Sequence, residues 1–379
     1  MTKFDPVLLI LEDETQSQEL LQTAFLAEGI KLDNLFVAST VKQAQILLRD
    51  QHFHGISIDQ NMPMDEHGAV TADHGLAFTE LNRWPLAKRV VYTAKGQVAY
   101  ANRVGLAGAE YREKSEISDA GSHRSLYDYS SEFMLDLKEN YVEKSLRAAS
   151  SLLPYSLSFP ALKAADAKQA GNWPEFFRQF SDLRERLMRL TLAVTLAAKG
   201  RKQPWRDGMR PQEIEEGLRE YWRPPPATIR RYIAMPGWEP GEALYDSSAD
   251  LRKLRNSIEH HDRQNYVAAD FAEQHGNVVA IIDLLALFCE VPIMHSPRFH
   301  PTKRGLISFH RMGPNKGRVE GIWDSDFDPP PFDDAALYMP WRGPQGPELL
   351  NLAPWLIARR DAVRELEFLV MLGQKSEIL

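Results

Sequence analysis

Short apolar runs, each ending in a polar group able to do chemistry, constrain this chain more than any other feature. VLLIL leads into Glu12 and Asp13, ISI into Asp59, RVVY into Thr93, and a weaker stretch ends at Lys114. Near-continuous apolar runs of this length read as strands of a parallel sheet buried on both faces. The first third of the chain is therefore expected to be a doubly wound α/β domain built on a parallel sheet. Such sheets build their sites at the carboxyl edge, and all five polar positions fall there.

Three carboxylates crowded at one edge repel one another at neutral pH unless a hard divalent cation such as Mg²⁺, which prefers oxygen ligands, sits between them. A lysine and a hydroxyl add a counter-charge and a donor for a phosphoryl group. This set resembles the receiver domain of bacterial two-component response regulators, over roughly residues 5–119, which implies a five-stranded parallel sheet. The resemblance implies that Asp59, in DQNMP, accepts a phosphoryl group from a sensor histidine kinase or phosphotransfer protein. It also implies that Glu12, Asp13 and Asp59 hold Mg²⁺ together with the backbone carbonyl of Asn61. Thr93, in VVYTAKG, matches the switch hydroxyl, Lys114 the phosphoryl-contacting lysine, and Tyr111, in GAEYREK, the aromatic switch position. In chemical terms this is nucleophilic catalysis by a carboxylate with electrostatic assistance.

Two departures from the family pattern stand out. Ser115 follows the lysine where the family has a proline, and the segment MDEHGAVTADHGLAF after DQNMP is longer than the family norm. The second implies a rebuilt loop and helix beside the site. The plainer alternative, an α/β domain with scattered surface acids, does not account for five matches in order, each after a strand-like run.

At 379 residues and 44% hydrophobic content, the chain has the length for two or three domains and enough apolar residues to fill their cores. Its single cysteine, Cys289, lies in the apolar run IIDLLALFCEV and reads as a core residue, so no disulfide framework is expected. No apolar stretch approaches the length of a membrane span, and a cytoplasmic location is expected. Net charge is −7. The stretch from Lys199 to Arg231 is locally basic, which fits either a phosphate contact or a solvated helix face. No helix-turn-helix signature, zinc spacing or Gly-rich phosphate loop appears, so specific DNA binding is not expected.

Beyond residue 120 the pattern becomes helical. SLYDYSSEFMLDLKENYVEKSLRAASSLL reads as one long amphipathic helix, and WPEFFRQFSDLRERLMRLTLAVTLAAKG as a second. RPQEIEEGLREYW and ALYDSSADLRKLRNSIEHH follow, and a fifth helix is expected from about Val267 to Val291. The fourth holds a polar string, Arg255-Asn256-Ser257-Ile258-Glu259-His260. Arginine can clamp a phosphate and histidine can exchange protons near neutral pH. The string and its helical setting resemble the HEPN superfamily, which implies a metal-independent RNase: His260 acts on the 2′-hydroxyl or leaving oxygen, Arg255 neutralises transition-state charge, and Asn256 accompanies them. The bare Arg-to-His spacing also occurs from Arg49 to His54, so Asn256 and the helical setting carry the resemblance. The ordinary alternative pairs Arg255 with Glu259 and leaves His260 capping the last turn. Five residues put Arg255 and His260 about 140° apart on an ideal helix. The helix therefore ends near Glu259, or a homodimer pools two motifs.

From about Ser296 the pattern changes again. GLISFHRM and RVEGIWDSDF read as a strand pair, and ALYMPW and ELEFLVMLG as further strands. ELLNLAPWLIARR reads as a strand or short helix, and DPPPFDD and RGPQGP as turns. The expected organisation is a receiver over 1–120, a connecting helix over 121–155, an all-α HEPN-like domain over 156–295 and a small β-rich or α+β domain over 296–379. The expected function is a phosphorylation-controlled regulator whose output is an RNase acting in phage defence or growth arrest. The alternatives are a non-catalytic adaptor that grips a partner protein and, behind it, a transcription regulator.

Overall fold

The computed structural model describes residues 4–50, 52–80, 86–93, 98–113, 124–153, 155–198, 250–251 and 267–290. Nearer the carboxyl end it describes 293–295, 298–299, 306–312, 317–323, 336–343, 346–360, 366–370 and 377–378. The chain divides into two compact units, one built on Lys3–Ser145 and one on the residues from Leu146 onward.

The first unit holds β1 (Leu8–Leu11), β2 (Leu35–Ala38), β3 (Gly55–Asp59), a short hairpin of β4 (Met62–Pro63) and β5 (Val70–Thr71), then β6 (Lys88–Thr93) and β7 (Glu110–Glu113). Five of these form one sheet in the order β2-β1-β3-β6-β7, with every neighbour parallel. All residues of β1 and β3 are buried, as a sheet covered on both faces requires. The crossovers are α1 (Thr15–Ala27), α2 (Val41–Asp50), α3 (Ala72–Glu80) and α4 (Val98–Leu106), and a long helix, Arg124–Leu152, follows.

Local signals explain the boundaries. The helix α1 stops at Gly29, whose φ of 87° lies in the left-handed region that glycine adopts without a Cβ penalty. At the start of α2 the Thr40 hydroxyl accepts a hydrogen bond from the Gln43 amide at 3.1 Å, and the Gln43 side chain accepts one from the Ser39 amide at 2.9 Å. The long helix lies directly on β3: a Cβ at Gly55 would stand 2.7 Å from the Phe133 ring and 2.8 Å from Leu8. The extra length after DQNMP forms the β4–β5 hairpin, paired Met62 to Thr71 and Pro63 to Val70. The Lys42 amide donates to the Met64 carbonyl at 3.0 Å and His74 Nδ1 lies 2.9 Å from the Met62 carbonyl, fastening the hairpin to α2 and α3.

In the second unit the described helices are Tyr155–Gln169, Trp173–Ala198 and Ala268–Glu290, with the tail of Arg124–Leu152. Trp173–Ala198 starts at an Asn172 cap, whose Oδ1 accepts from the Glu175 amide at 3.3 Å. Its aromatic face packs on the last helix, where Trp173 stacks on Phe271 at 4.9 Å and Phe176 meets the same ring edge-on at 5.3 Å. The expected strand pair is present as β10 (Leu306–Met312) against β11 (Gly317–Trp323), with β8 (Met294–His295) and β9 (Arg298–Phe299) before it. Then come β12 (Leu337–Gly343), β13 (Gly346–Asn351), β14 (Leu356–Arg360), β15 (Leu366–Val370) and β16 (Glu377–Ile378), so ELLNLAPWLIARR forms strands. They pair antiparallel in three small sheets, and Trp355 between β13 and β14 is among the largest fully buried side chains.

One reading of the sequence needs correction, and one helix goes beyond those read from it. The helix Tyr155–Gln169 carries Pro160 inside it and was not singled out in the sequence. Cys289 is half-buried and not a core residue. Among the described residues no helix is long and apolar enough to cross a membrane.

Candidate functional site: an acidic pocket at the carboxyl edge of the parallel sheet

Parallel pairing fixes where the acidic groups meet. Leu11 lies opposite Ile58, and Asp59 opposite Tyr92, so Glu12, Asp59 and Tyr92 fall in one row across β1, β3 and β6, at or just past the ends of the strands. One ligand oxygen from each of Glu12, Asp13 and Asp59 lies within 4.8 Å of the others. Glu12 and Asp59 are buried and Asp13 is half-buried. Thr93 ends β6 in the same edge and is buried. The Asn61 amide donates to Asp59 Oδ1 at 3.2 Å, which orients the carboxylate by a turn within its own loop. Tyr111 is half-buried on β7, with its hydroxyl 3.5 Å from Gln60 Oε1. Lys114 and Ser115 lie outside the described residues, as do Arg255, Asn256 and His260.

Three carboxylates this close, offering only oxygen, suit a hard divalent cation of the Mg²⁺ or Mn²⁺ kind and offer nothing to a soft metal. The residues present therefore fit such an ion.

Some contributors carry no signal in the sequence pattern. Tyr92 reads only as the end of an apolar run, yet its hydroxyl donates to Glu12 Oε2 at 2.6 Å. Burial, then the charges of Glu12 and Asp59, push the Tyr92 phenol well above its ordinary range, so it keeps its proton. The other oxygen, Glu12 Oε1, accepts from the Glu14 amide at 3.2 Å. Beneath this row, Ser57 and Tyr129 share a buried hydroxyl-to-hydroxyl bond of 2.8 Å. Gly75 in α3 is a further hidden determinant: a Cβ there would stand 2.3 Å from the Asp59 carbonyl oxygen and 2.7 Å from that of Gln60. Only glycine lets α3 approach the backbone of the candidate acceptor this closely.

A second concavity, about 370 Å³, lies between β7 and the long helix. Lys88, Glu110, Arg112, Glu132 and Asp136 in its lining are ion-paired. Asp136 accepts from Lys88 and from Lys144, and Arg112 lies 3.3 Å from Glu132.

No protein-family model matches the chain, and no curated protein matches it in sequence. Solved structures similar to it include the CheY-like response regulator receiver domain protein of Methanospirillum hungatei JF-1, at 17% identity and TM-score 0.29 over 36% of this chain and 99% of that one. The receiver domain of Francisella response regulator 1452 is 19% identical, with TM-score 0.27, over 33% of this chain and 93% of that one. The Mn²⁺-bound form of response regulator Rcp1 is 14% identical, with TM-score 0.27, over 34% of this chain and 91% of that one.

Proposed function

We propose that the first unit is a phospho-acceptor receiver and that phosphorylation of Asp59 controls the rest of the chain. The observation that carries this reading is the trio Glu12, Asp13 and Asp59, with ligand oxygens within 4.8 Å of one another. They stand at the edge where a doubly wound sheet of this order builds its site. An Asp59 oxygen forms a bond to phosphorus while the donor's bond to phosphorus breaks. The electron pair goes to the leaving imidazole or carboxylate. Glu12, Asp13, Asp59 and the Asn61 carbonyl would hold the divalent cation, which supplies charge neutralisation on the transferring oxygens. Thr93 donates to the phosphoryl group, and Lys114 takes the counter-charge role that the family resemblance assigns it. The donor is a sensor histidine kinase or phosphotransfer protein.

The output we propose is a HEPN-like helical region acting as a metal-independent RNase through Arg255, Asn256 and His260, in a homodimer, with a role in phage defence or growth arrest. The support for this part is the motif and its helical sequence context. Intact mass after incubation with acetyl phosphate and Mg²⁺ tests the receiver: one added phosphoryl group is expected, and none in Asp59→Asn. No uptake by the unaltered chain would refute the reading. Cleavage of labelled RNA that disappears in His260→Ala supports the nuclease. A phosphorylated chain that cleaves nothing is instead an adaptor for a partner protein.

A further inference from the structure

The row Glu12, Asp59, Tyr92 places two side chains that share a 2.6 Å hydrogen bond on strands that are not neighbours. The strand of Asp59 runs between them, so the bond spans two strand spacings, about 9.6 Å of sheet. Only a long side chain ending in a donor can bridge that gap from β6, and phenylalanine of the same shape could not donate. A carboxylate as buried as Glu12 is unfavourable unless hydrogen bonds replace the water it has lost. Two such bonds are present, one to each oxygen, and they fix both the position and the rotation of the carboxylate. A bond of this length to a carboxylate is in the charge-assisted class.

We infer that Tyr92 is a positioning residue for the acidic pocket: by holding Glu12 Oε2 it sets how strongly the pocket takes a divalent cation. The inference rests on the reading of Glu12, Asp13 and Asp59 as a cation site. Partners that orient a ligand in this way commonly change metal affinity by about 10–100-fold when removed.

The test is Mn²⁺ binding to the full chain without phosphodonor, followed by the paramagnetic resonance signal of free Mn²⁺. The series comprises the unaltered chain, Tyr92→Phe, Glu12→Gln, the double variant, and Asp59→Asn. The expected result is binding that needs Asp59, about tenfold weaker in Tyr92→Phe, with no further loss on adding Tyr92→Phe to Glu12→Gln. A merely structural tyrosine would shift the melting temperature and leave this affinity cycle additive. Should Tyr92→Phe lose its fold, Tyr92→Leu enters the same cycle. Asp59-dependent binding that is equally tight in the Tyr92 variants overturns the inference and leaves the cation site standing. No Asp59-dependent binding in the unaltered chain overturns both.

Discussion

Gly75→Ala is the perturbation whose consequence follows most directly from the coordinates. The added Cβ would meet three backbone atoms: the Asp59 carbonyl oxygen at 2.3 Å, the Gln60 carbonyl oxygen at 2.7 Å and Gln60 Cα at 2.9 Å. Ordinary contact begins at 3.4 Å, so α3 and the end of β3 must separate by about 1 Å, and no flexible side-chain tip is there to yield. Overpacking of this kind costs about 1–3 kcal/mol, while alanine in a helix returns up to about 1 kcal/mol over glycine. The net expectation is a loss of about 1–2 kcal/mol, or about 3–6 °C in the melting temperature of this unit. Gly105→Ala is the matched control, because a Cβ there meets nothing within 4 Å and only the propensity gain remains. Calorimetry of the two variants beside the unaltered chain reads the difference. Since the clash is with the carbonyl of Asp59 itself, phosphoryl uptake from acetyl phosphate should also slow in Gly75→Ala and not in Gly105→Ala. The reasoning is refuted if Gly75→Ala melts at or above the unaltered chain.

Tyr129→Phe leaves the buried Ser57 hydroxyl without its 2.8 Å partner and should cost about 1–2 kcal/mol; adding Ser57→Ala should recover part of that loss, as urea denaturation of the single and double variants will show. Burial alone would raise the Asp136 carboxyl, but hydrogen bonds from Lys144, Lys88 and Asn140 outweigh it and hold the group at about 2. Its folded value lies below its unfolded one, so the stabilisation is complete above about pH 4 and fades as pH falls toward 2. Asp136→Asn should weaken that acid dependence in melting scans, and an unchanged slope would contradict the assignment. His275 is pushed down to about 4 by burial and by Lys168. Below its unfolded value near 6.5 the unfolded chain takes up a proton that the folded chain refuses, so stability should fall from about pH 6.5 to 4. His275→Gln should flatten the curve in that window.

The parallel sheet was legible because its central strands β1, β3 and β6 are buried on both faces and therefore written as continuous apolar runs, with polar groups stopping them at one edge. The helix Trp173–Ala198 was legible for a different reason, its amphipathic period together with Pro174 near its first turn. Tyr155–Gln169 was not, since Pro160 reads as a breaker in one dimension, while packing against the next helix overrides that local preference. Within the pocket, Glu12, Asp13, Asp59 and Thr93 were visible as residue types at strand ends. Tyr92 was hidden because an aromatic residue in an apolar run is indistinguishable from core until its hydroxyl has a partner two strands away. Gly75 was hidden because its requirement comes from a backbone it meets in space and not from its own neighbours in sequence.

The long helix shows how the pocket row and the core beneath it are set by one geometric match. Tyr129 bonds Ser57 and Phe133 covers Gly55, so four residues of helix span two residues of β3 in the opposite direction. Four helical residues rise about 6.0 Å and two strand residues about 6.6 Å, which lets both contacts form along one line. The order continues downward: Asp136 pairs with Lys88, opposite Gly55, then the Tyr141 ring meets His54 at 5.3 Å, and Ser145 donates to the Leu86 carbonyl at 3.3 Å. The helix therefore runs antiparallel to β3 from the carboxyl edge to the amino edge. A rotation by one residue, about 100°, would turn Tyr129 from Ser57 and Phe133 from the only strand position without a side chain to obstruct it among the five of β3. Polar pairs at Ser57 and Lys88 and the bare backbone at Gly55 thus select one seating where apolar contact alone would admit several. Tyr129 lies against Tyr92 at 6.1 Å between ring centres, so that seating also fixes the floor on which the tyrosine holding Glu12 rests.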